Sequence, residues 1–347
     1  MSGLLALLAL IGSPADTLGP DPASLPAAKV TLNAAASEII IELPGIPLPP
    51  HTGHHGGGGG YPPVVKAELP VDASLYGFRV EVVDADGKLL PSELIHHFNL
   101  IDPNNRELFL PISRRIMAAG KETGAQKLPR FFFGVPMKKG SLVVASAMLH
   151  NPTDSDYVDA RTRLVLSYVP AEKWYPFFDG YPWQLDVGFP VGDKSFTLPP
   201  GISTRSYEAK PSVPGKIVAV GGHMHEMGTR IELTEVESGK VIWSGAPTVD
   251  AEKNITGIPI GKLYGLFKVG APIRPDRTYR VTVTYDNSTG APVEAGGMGV
   301  IGGLFVPDKG VSWPVADKAD PLYVQDAFHY LRVKRDSAAP AEHVHKH

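Results

Sequence analysis

The chain has 347 residues, more than one core usually serves, and 43% of them are hydrophobic. Its net charge of −3, from 33 basic and 36 acidic residues, gives no reason to expect nucleic acid or an anionic membrane as partner. There is no cysteine, which excludes disulfides, zinc fingers, iron–sulfur clusters and thiol nucleophiles and leaves methionine as the soft ligand.

Leu4–Ile11 is an apolar run followed by Gly12-Ser13-Pro14-Ala15. It is too short to span a bilayer. It resembles the apolar core and small-residue cleavage site of an export signal, without preceding basic residues. A disordered apolar start is the other reading. A periplasmic or secreted location is the expectation, with the cytoplasm left open. Residues 12–30 are rich in Pro, Ala and Asp and read as a linker, so 1–29 are set apart as signal and linker. Val30–Leu43 reads as a first strand. Pro44–Pro63 is low-complexity, with His51, His54, His55 and a run of glycines, and reads as a disordered surface loop.

The β pattern then becomes regular. Phe78–Val83 and Lys88–Leu90 flank the turn Asp84-Ala85-Asp86-Gly87. Ser113–Ala119 reads as a short helix stopped by Gly120. Leu142–His150 and Thr162–Val169 read as strands, the second with Thr162, Leu164, Leu166 and Tyr168 on one face. Pro182–Gly192 carries turn residues and little alternation, and the boundary between halves is placed there. Arg230–Val236 and Lys240–Trp243 form a hairpin. Tyr279–Tyr285 alternates cleanly, and Met298–Val306 is the last clear strand. Pro321–Val333 is ambiguous. The expectation is an all-β protein of two tandem antiparallel β-sandwiches, jelly-roll-like, over 30–190 and 191–335, with a His-rich tail at 336–347.

The chemistry sits on histidines. His223 and His225 follow the apolar run Lys216–Val220, so period two points both rings the same way and Met224 the other. Two imidazoles on one face suit zinc, copper, iron or nickel; a solvated strand end is the bland alternative. His96 and His97 are adjacent, and in a regular strand adjacent residues face opposite ways, so sharing a metal requires a backbone bend. His150 ends an apolar strand, in reach of a three-histidine site that the spacing does not demand. His329, between Phe328 and Tyr330, reads as a partly buried polar residue. Met298 opens a strand after Gly296-Gly297. An isolated Met is ordinarily core, yet a thioether selects Cu(I).

In order along the chain, Leu43-Pro44-Gly45-Ile46, Ile95-His96-His97-Phe98, His150 at a strand end, Leu198-Pro199-Pro200-Gly201, His223-Met224-His225-Glu226-Met227-Gly228 and Met298 form a set. The set resembles the copper type II, ascorbate-dependent monooxygenases, the group of peptidylglycine α-hydroxylating monooxygenase and dopamine β-monooxygenase, with this chain a divergent, bacterial-type member. The resemblance spans roughly residues 40–307. It implies two copper ions: His96, His97 and His150 would hold the electron-transfer copper, and His223, His225 and Met298 the copper that binds and activates dioxygen. Ascorbate would supply two electrons, and a C–H bond of a small-molecule substrate would become C–OH.

Departures narrow the reading. Gly221 and Gly302 stand where peptide-amidating members have an Arg for the substrate carboxylate and a Tyr. Phe98 and Gly297 replace a Met and an acidic residue, and the family's disulfides are absent. Met227 stands for a family Leu and reads as core. Glycines at 221, 222, 296, 297, 302 and 303 imply an open or differently shaped pocket. A glycine-extended peptide is therefore not the expected substrate, although Arg230 lies near enough in sequence to replace the lost grip. A copper storage or delivery protein without hydroxylase activity is the alternative. A zinc hydrolase with Glu226 as base ranks last, because zinc sites rarely use Met.

Overall fold

Alternation decides which strand faces are buried. In Tyr279–Asn287 the side chains of Tyr279, Val281, Val283 and Tyr285 are at most 1% exposed, while the residues between them face outward. The computed structural model describes residues 19–52, 60–120, 123–189, 194–251, 255–266 and 268–332. The export-like run Leu4–Ile11, His54, His55 and the His-rich tail lie outside the described residues.

The chain folds as two tandem antiparallel β-sandwiches. In the first, one sheet runs Lys29–Asn33, Glu38–Glu42, Tyr157–Pro170, Ala73–Val83, Phe133–Met137 and Phe178–Asp179, the last pair being parallel. The facing sheet runs Val65–Glu68, Leu142–Leu149, Ile95–Arg106 and Ser113–Gly120. Ile39, Ile41, Phe98, Leu100, Leu164 and Leu166 pack between them. In the second sandwich one sheet holds Tyr181–Asp186, Gly299–Pro307, Gly215–Met224 and Gly261–Lys262, and the other holds Gly201–Ala209, Tyr279–Asn287, Gly228–Glu235 and Lys240–Gly245.

Both sandwiches carry the same polar clasp. The Asn151 amide donates to the carbonyls of Leu48, Pro49 and Ser155, and its oxygen accepts from Thr153. The Asn287 amide donates to Leu198, Pro199 and Ala291, and its oxygen accepts from Thr289. Each asparagine is at most 1% exposed, so each clasp fixes a strand end while satisfying the buried amide itself.

Four expectations are corrected. Ser113–Gly120 is a strand rather than a helix, paired along Ile95–Arg106. Val30–Leu43 is two strands joined by a turn, with Ser37 at φ 54. Residues 182–189 belong to the second sandwich instead of separating the halves: Tyr181–Asp186 pairs with Gly299–Pro307, and Trp183, Leu185 and Val187 are buried in the second core, while 190–192 lie outside the described residues. The second half does not end as a sandwich either. Its C-terminal helix Pro321–Tyr330 is capped by the Asp320 side chain, which accepts from the Leu322 amide at 2.8 Å. The helix packs Tyr323, Ala327 and Tyr330 onto Ile101 and Val144 of the first sandwich. His329 on that helix is exposed. Among the described residues no helix is long and apolar enough to cross a membrane.

The sandwiches meet through apolar and charged contacts. Val218 and Leu304 of the second join the first core. Arg115 makes two 2.6 Å bonds to Asp326. Glu107, fully buried, accepts from the amides of Leu108 at 2.8 Å and Gln184 at 3.1 Å through one oxygen, and from Arg115 through the other.

Candidate metal centre

The strand Ile95–Arg106 turns Phe98 and Leu100 into the core, so His97 and Asn99 face the other side, half-buried. The bend that adjacent histidines need is present at that point. Met148 pairs with His97 and Leu149 with Ile95, which leaves His96 as the extra residue of a β-bulge. The bulge re-aims His96 toward its neighbour, and the ring centroids of His96 and His97 lie 4.0 Å apart. His150 follows the adjacent strand. Its amide donates to the Leu94 carbonyl at 2.9 Å, and its ring lies 6.5 Å from that of His96.

The second set is built on Gly215–Met224 and Gly299–Pro307. Met224, 2% exposed, points into the core, so His223 and His225 share the opposite face, with centroids 5.7 Å apart. His223 pairs with Val300 and Met224 with Gly299; one further step of that register sets His225 opposite Met298. A single atom fastens those two backbones. The Tyr285 hydroxyl accepts from the amides of His225 at 3.1 Å and Met298 at 2.9 Å, and donates to the Met298 carbonyl. Burial pushes the Tyr285 phenol up to about 12, so it stays protonated and able to donate at neutral pH.

The two sets are not remote from each other. The rings of His97 and His223 lie 6.4 Å apart across the junction of the sandwiches. Five imidazoles therefore follow one another as neighbours, His150, His96, His97, His223 and His225, with no gap between successive centroids wider than 6.5 Å. Among the described residues no three His, Asp or Glu side chains converge tightly enough to hold an ion without movement. Two imidazoles bound to one metal through bonds of about 2.0–2.1 Å place their centroids about 5 Å apart. The His223–His225 spacing is thus within about 1 Å of a shared ion, and His96–His150 needs a somewhat larger ring rotation. Imidazole suits copper in both oxidation states, and the register sets a methionine, Met298, opposite His225 on the neighbouring strand.

Charge lies beside the line. Asp186 pairs with Val300 on the strand edge opposite to His223, so it occupies the same sheet face. It is 2% exposed, 3.4 Å from the Lys194 ammonium, and accepts from the Gly188 amide at 2.7 Å. Burial pushes its carboxyl up; Lys194, the Gly188 amide and the field of His223 oppose that. Burial pushes Lys194 down, opposed first by Asp186.

The glycines divide. A Cβ on Gly221 would meet only Ile260, at 3.6 Å, so that position leaves open space beside His223. At Gly303 a Cβ would run into the Ala219 carbonyl, and at Gly297 into the Phe196 ring. Those two are glycine for close packing, and of the three only Gly221 has room for a side chain. Arg230 is exposed and bonded to Glu232 at 2.6 Å and to Ser244 at 3.1 Å. Glu226 is exposed and accepts from the Ile255 amide at 2.8 Å, away from a base's position. Met227, at φ 68, packs against the second core. His51 pairs with Asp154 at 2.9 Å, outside the line.

No known family profile and no curated protein matches the chain. Among solved structures, the major capsid protein P2 of bacteriophage PM2 is similar over 79% of this chain and 100% of its own, at 10% identity and a TM-score of 0.35. A glycosylasparaginase from Flavobacterium meningosepticum, PNGase F, is similar over 79% of this chain and 97% of its own, at 10% identity and a TM-score of 0.33. A chain of Sulfolobus turreted icosahedral virus covers 77% of this chain and 90% of its own, at 11% identity and a TM-score of 0.34. Similarities this low carry no argument about activity.

Proposed function

We propose that the protein is a copper-dependent monooxygenase that hydroxylates a C–H bond of a small organic substrate, using dioxygen and an ascorbate-type reductant. The observation that carries the reading is the succession of five neighbouring imidazoles, with the Met298 backbone fastened beside that of His225. His96, His97 and His150 would hold one ion, and His223, His225 and Met298 the other. Bound there, copper would supply one-electron transfer and dioxygen reduction. The residues account for the rest. The bulge at His96 lets two neighbouring side chains serve one site. The thioether at Met298 favours the reduced metal in the second set. Tyr285 fixes the two strand ends that bring His225 and Met298 together. The space beside Gly221 is the natural seat for substrate. Positions 221 and 302 offer no side chain to a carboxylate, so the substrate class is one without an obligatory carboxylate grip.

A storage or delivery protein remains the competing reading, favoured by those same bare positions. Oxygen uptake by the copper-loaded protein with ascorbate and a panel of phenylethylamines, alkyl amines and a glycine-extended peptide separates the two. Substrate-dependent uptake abolished in His223→Ala supports the monooxygenase. Tight copper binding with no substrate-dependent uptake supports storage.

A further inference from the structure

Of the five exposed aromatic side chains among the described residues, four stand together: Phe131 at 43%, Phe132 at 52%, Trp174 at 72% and Phe177 at 58% exposure. They occupy the loops of two segments, 126–132, which opens on the short strand Gln126–Lys127, and 170–177, which opens on the last residue of Tyr157–Pro170, tied to each other by hydrogen bonds from the Phe177 amide to the Phe131 carbonyl at 3.0 Å and from Phe178 to Phe132 at 2.9 Å. The rings touch. Trp174 lies 5.4 Å from Phe177 and 5.3 Å from Tyr175, Phe131 lies 4.7 Å from Tyr175, and Phe132 lies 6.1 Å from Phe177. Beneath them Phe133, 2% exposed, and the half-buried Phe178 pack against each other and anchor the loops to the first core. Leaving four large aromatics in water is unfavourable, and a soluble surface rarely gathers them without an occupant.

Two features choose the occupant. The loops carry Lys127, Arg130 and Lys173 against one acidic residue, Glu172, in a chain whose net charge is −3. All three basic residues are exposed, and the Arg130 guanidinium sits 5.1 Å over the Phe131 ring. The aromatic tip thus has Arg130 against it and Lys127 and Lys173 exposed in the same two segments, a local positive balance that the whole-chain charge conceals. Second, neighbouring rings are tilted or edge-on, at 45° to 79°, so they offer no flat platform for a sugar ring. Exposed aromatic rings on segments that also carry exposed Lys and Arg fit the boundary between acyl chains and anionic headgroups.

We infer that the loops 126–132 and 170–177 dock the protein on an anionic lipid surface, inserting Trp174, Phe177, Phe131 and Phe132 at headgroup depth. This is independent of the copper reading. The test uses the full chain with phosphatidylcholine vesicles and with mixed phosphatidylcholine–phosphatidylserine vesicles. Trp183 and Trp243 are at most 8% exposed, and Trp313 is stacked on Tyr181 at 4.5 Å, so Trp174 dominates any change in emission. The expected result is co-sedimentation with the mixed vesicles, a blue-shifted emission, and weaker binding at high salt. Trp174→Ser with Phe177→Ser should lower vesicle affinity by about tenfold or more per side chain, with circular dichroism unchanged because both side chains are exposed. Lys127→Glu with Lys173→Glu should remove the preference for phosphatidylserine. Absence of binding to either vesicle, or binding untouched by the aromatic variant, overturns the inference. So does a concentration-dependent dimer lost in the aromatic variant, which would assign the patch to a second copy of the chain.

Discussion

Replacing Tyr285 by Phe removes one oxygen and nothing else, yet that oxygen makes three hydrogen bonds, to His225 and twice to Met298. Each is worth about 1 kcal/mol net, and a polar group left without its partner costs about 1–3 kcal/mol when water cannot replace it. His225 and Met298 are only partly buried, so water compensates in part, and a loss of about 2–3 kcal/mol is expected. Urea unfolding followed by tryptophan emission reads this directly, because Trp183 and Trp243 lie in the same core as Tyr285. Copper affinity should fall together with stability, since the strand ends carrying His225 and Met298 lose their common fastening. A stability change below about 0.5 kcal/mol, within the range of an ordinary surface substitution, with copper affinity unchanged, would refute the role given to Tyr285.

Glu107 predicts a pH dependence of stability. Burial pushes its carboxyl up to about 7, from an ordinary 4.5. The folded state therefore holds a proton that the unfolded state releases, so this contribution is full below about 4.5 and is lost as pH rises through about 7. It amounts to about 3 kcal/mol at most, and in Glu107→Gln the decline between those values should disappear from unfolding curves measured across pH. Gly221→Ala should change stability by less than about 0.5 kcal/mol, because its Cβ enters open space. Gly303→Ala should cost about 1–3 kcal/mol, because its Cβ meets the Ala219 backbone; equal melting temperatures for the two variants would contradict the packing described. A glycine-extended peptide should be a poor substrate, and Arg230→Ala should not alter its turnover, because Arg230 is engaged by Glu232.

Much of the fold was legible because its strands bury alternate residues. The face formed by Tyr279, Val281, Val283 and Tyr285 is visible in a nine-residue stretch of sequence and is the face found in the core. Trp183, Leu185 and Val187 follow the same rule, but among prolines and glycines three residues do not stand out, and their partner strand lies more than a hundred residues away. Ser113–Gly120 was misread for a related reason. Ile116, Met117, Ala118 and Ala119 favour helix locally, and pairing with Ile95–Arg106 overrides that preference. The bulge at His96 exists only relative to Met148 and Leu149, so sequence showed the need for a bend but not the bend. The alternation places Tyr285 on one face with Tyr279, Val281 and Val283; its hydroxyl had to find partners once buried, but nothing local named them as His225 and Met298. The continuity of the histidine line is likewise a property of how two sandwiches meet.

Met298 and the five histidines are proposed to hold two copper ions in unlike environments. X-ray absorption at the copper edge of the reduced protein, wild type beside Met298→Ala and with copper per chain measured on the same samples, tests it most directly. The account predicts two coppers per wild-type chain, nitrogen neighbours throughout, and a sulfur contribution that vanishes in Met298→Ala. Protein that retains no copper, or a sulfur contribution unchanged by that substitution, would contradict it.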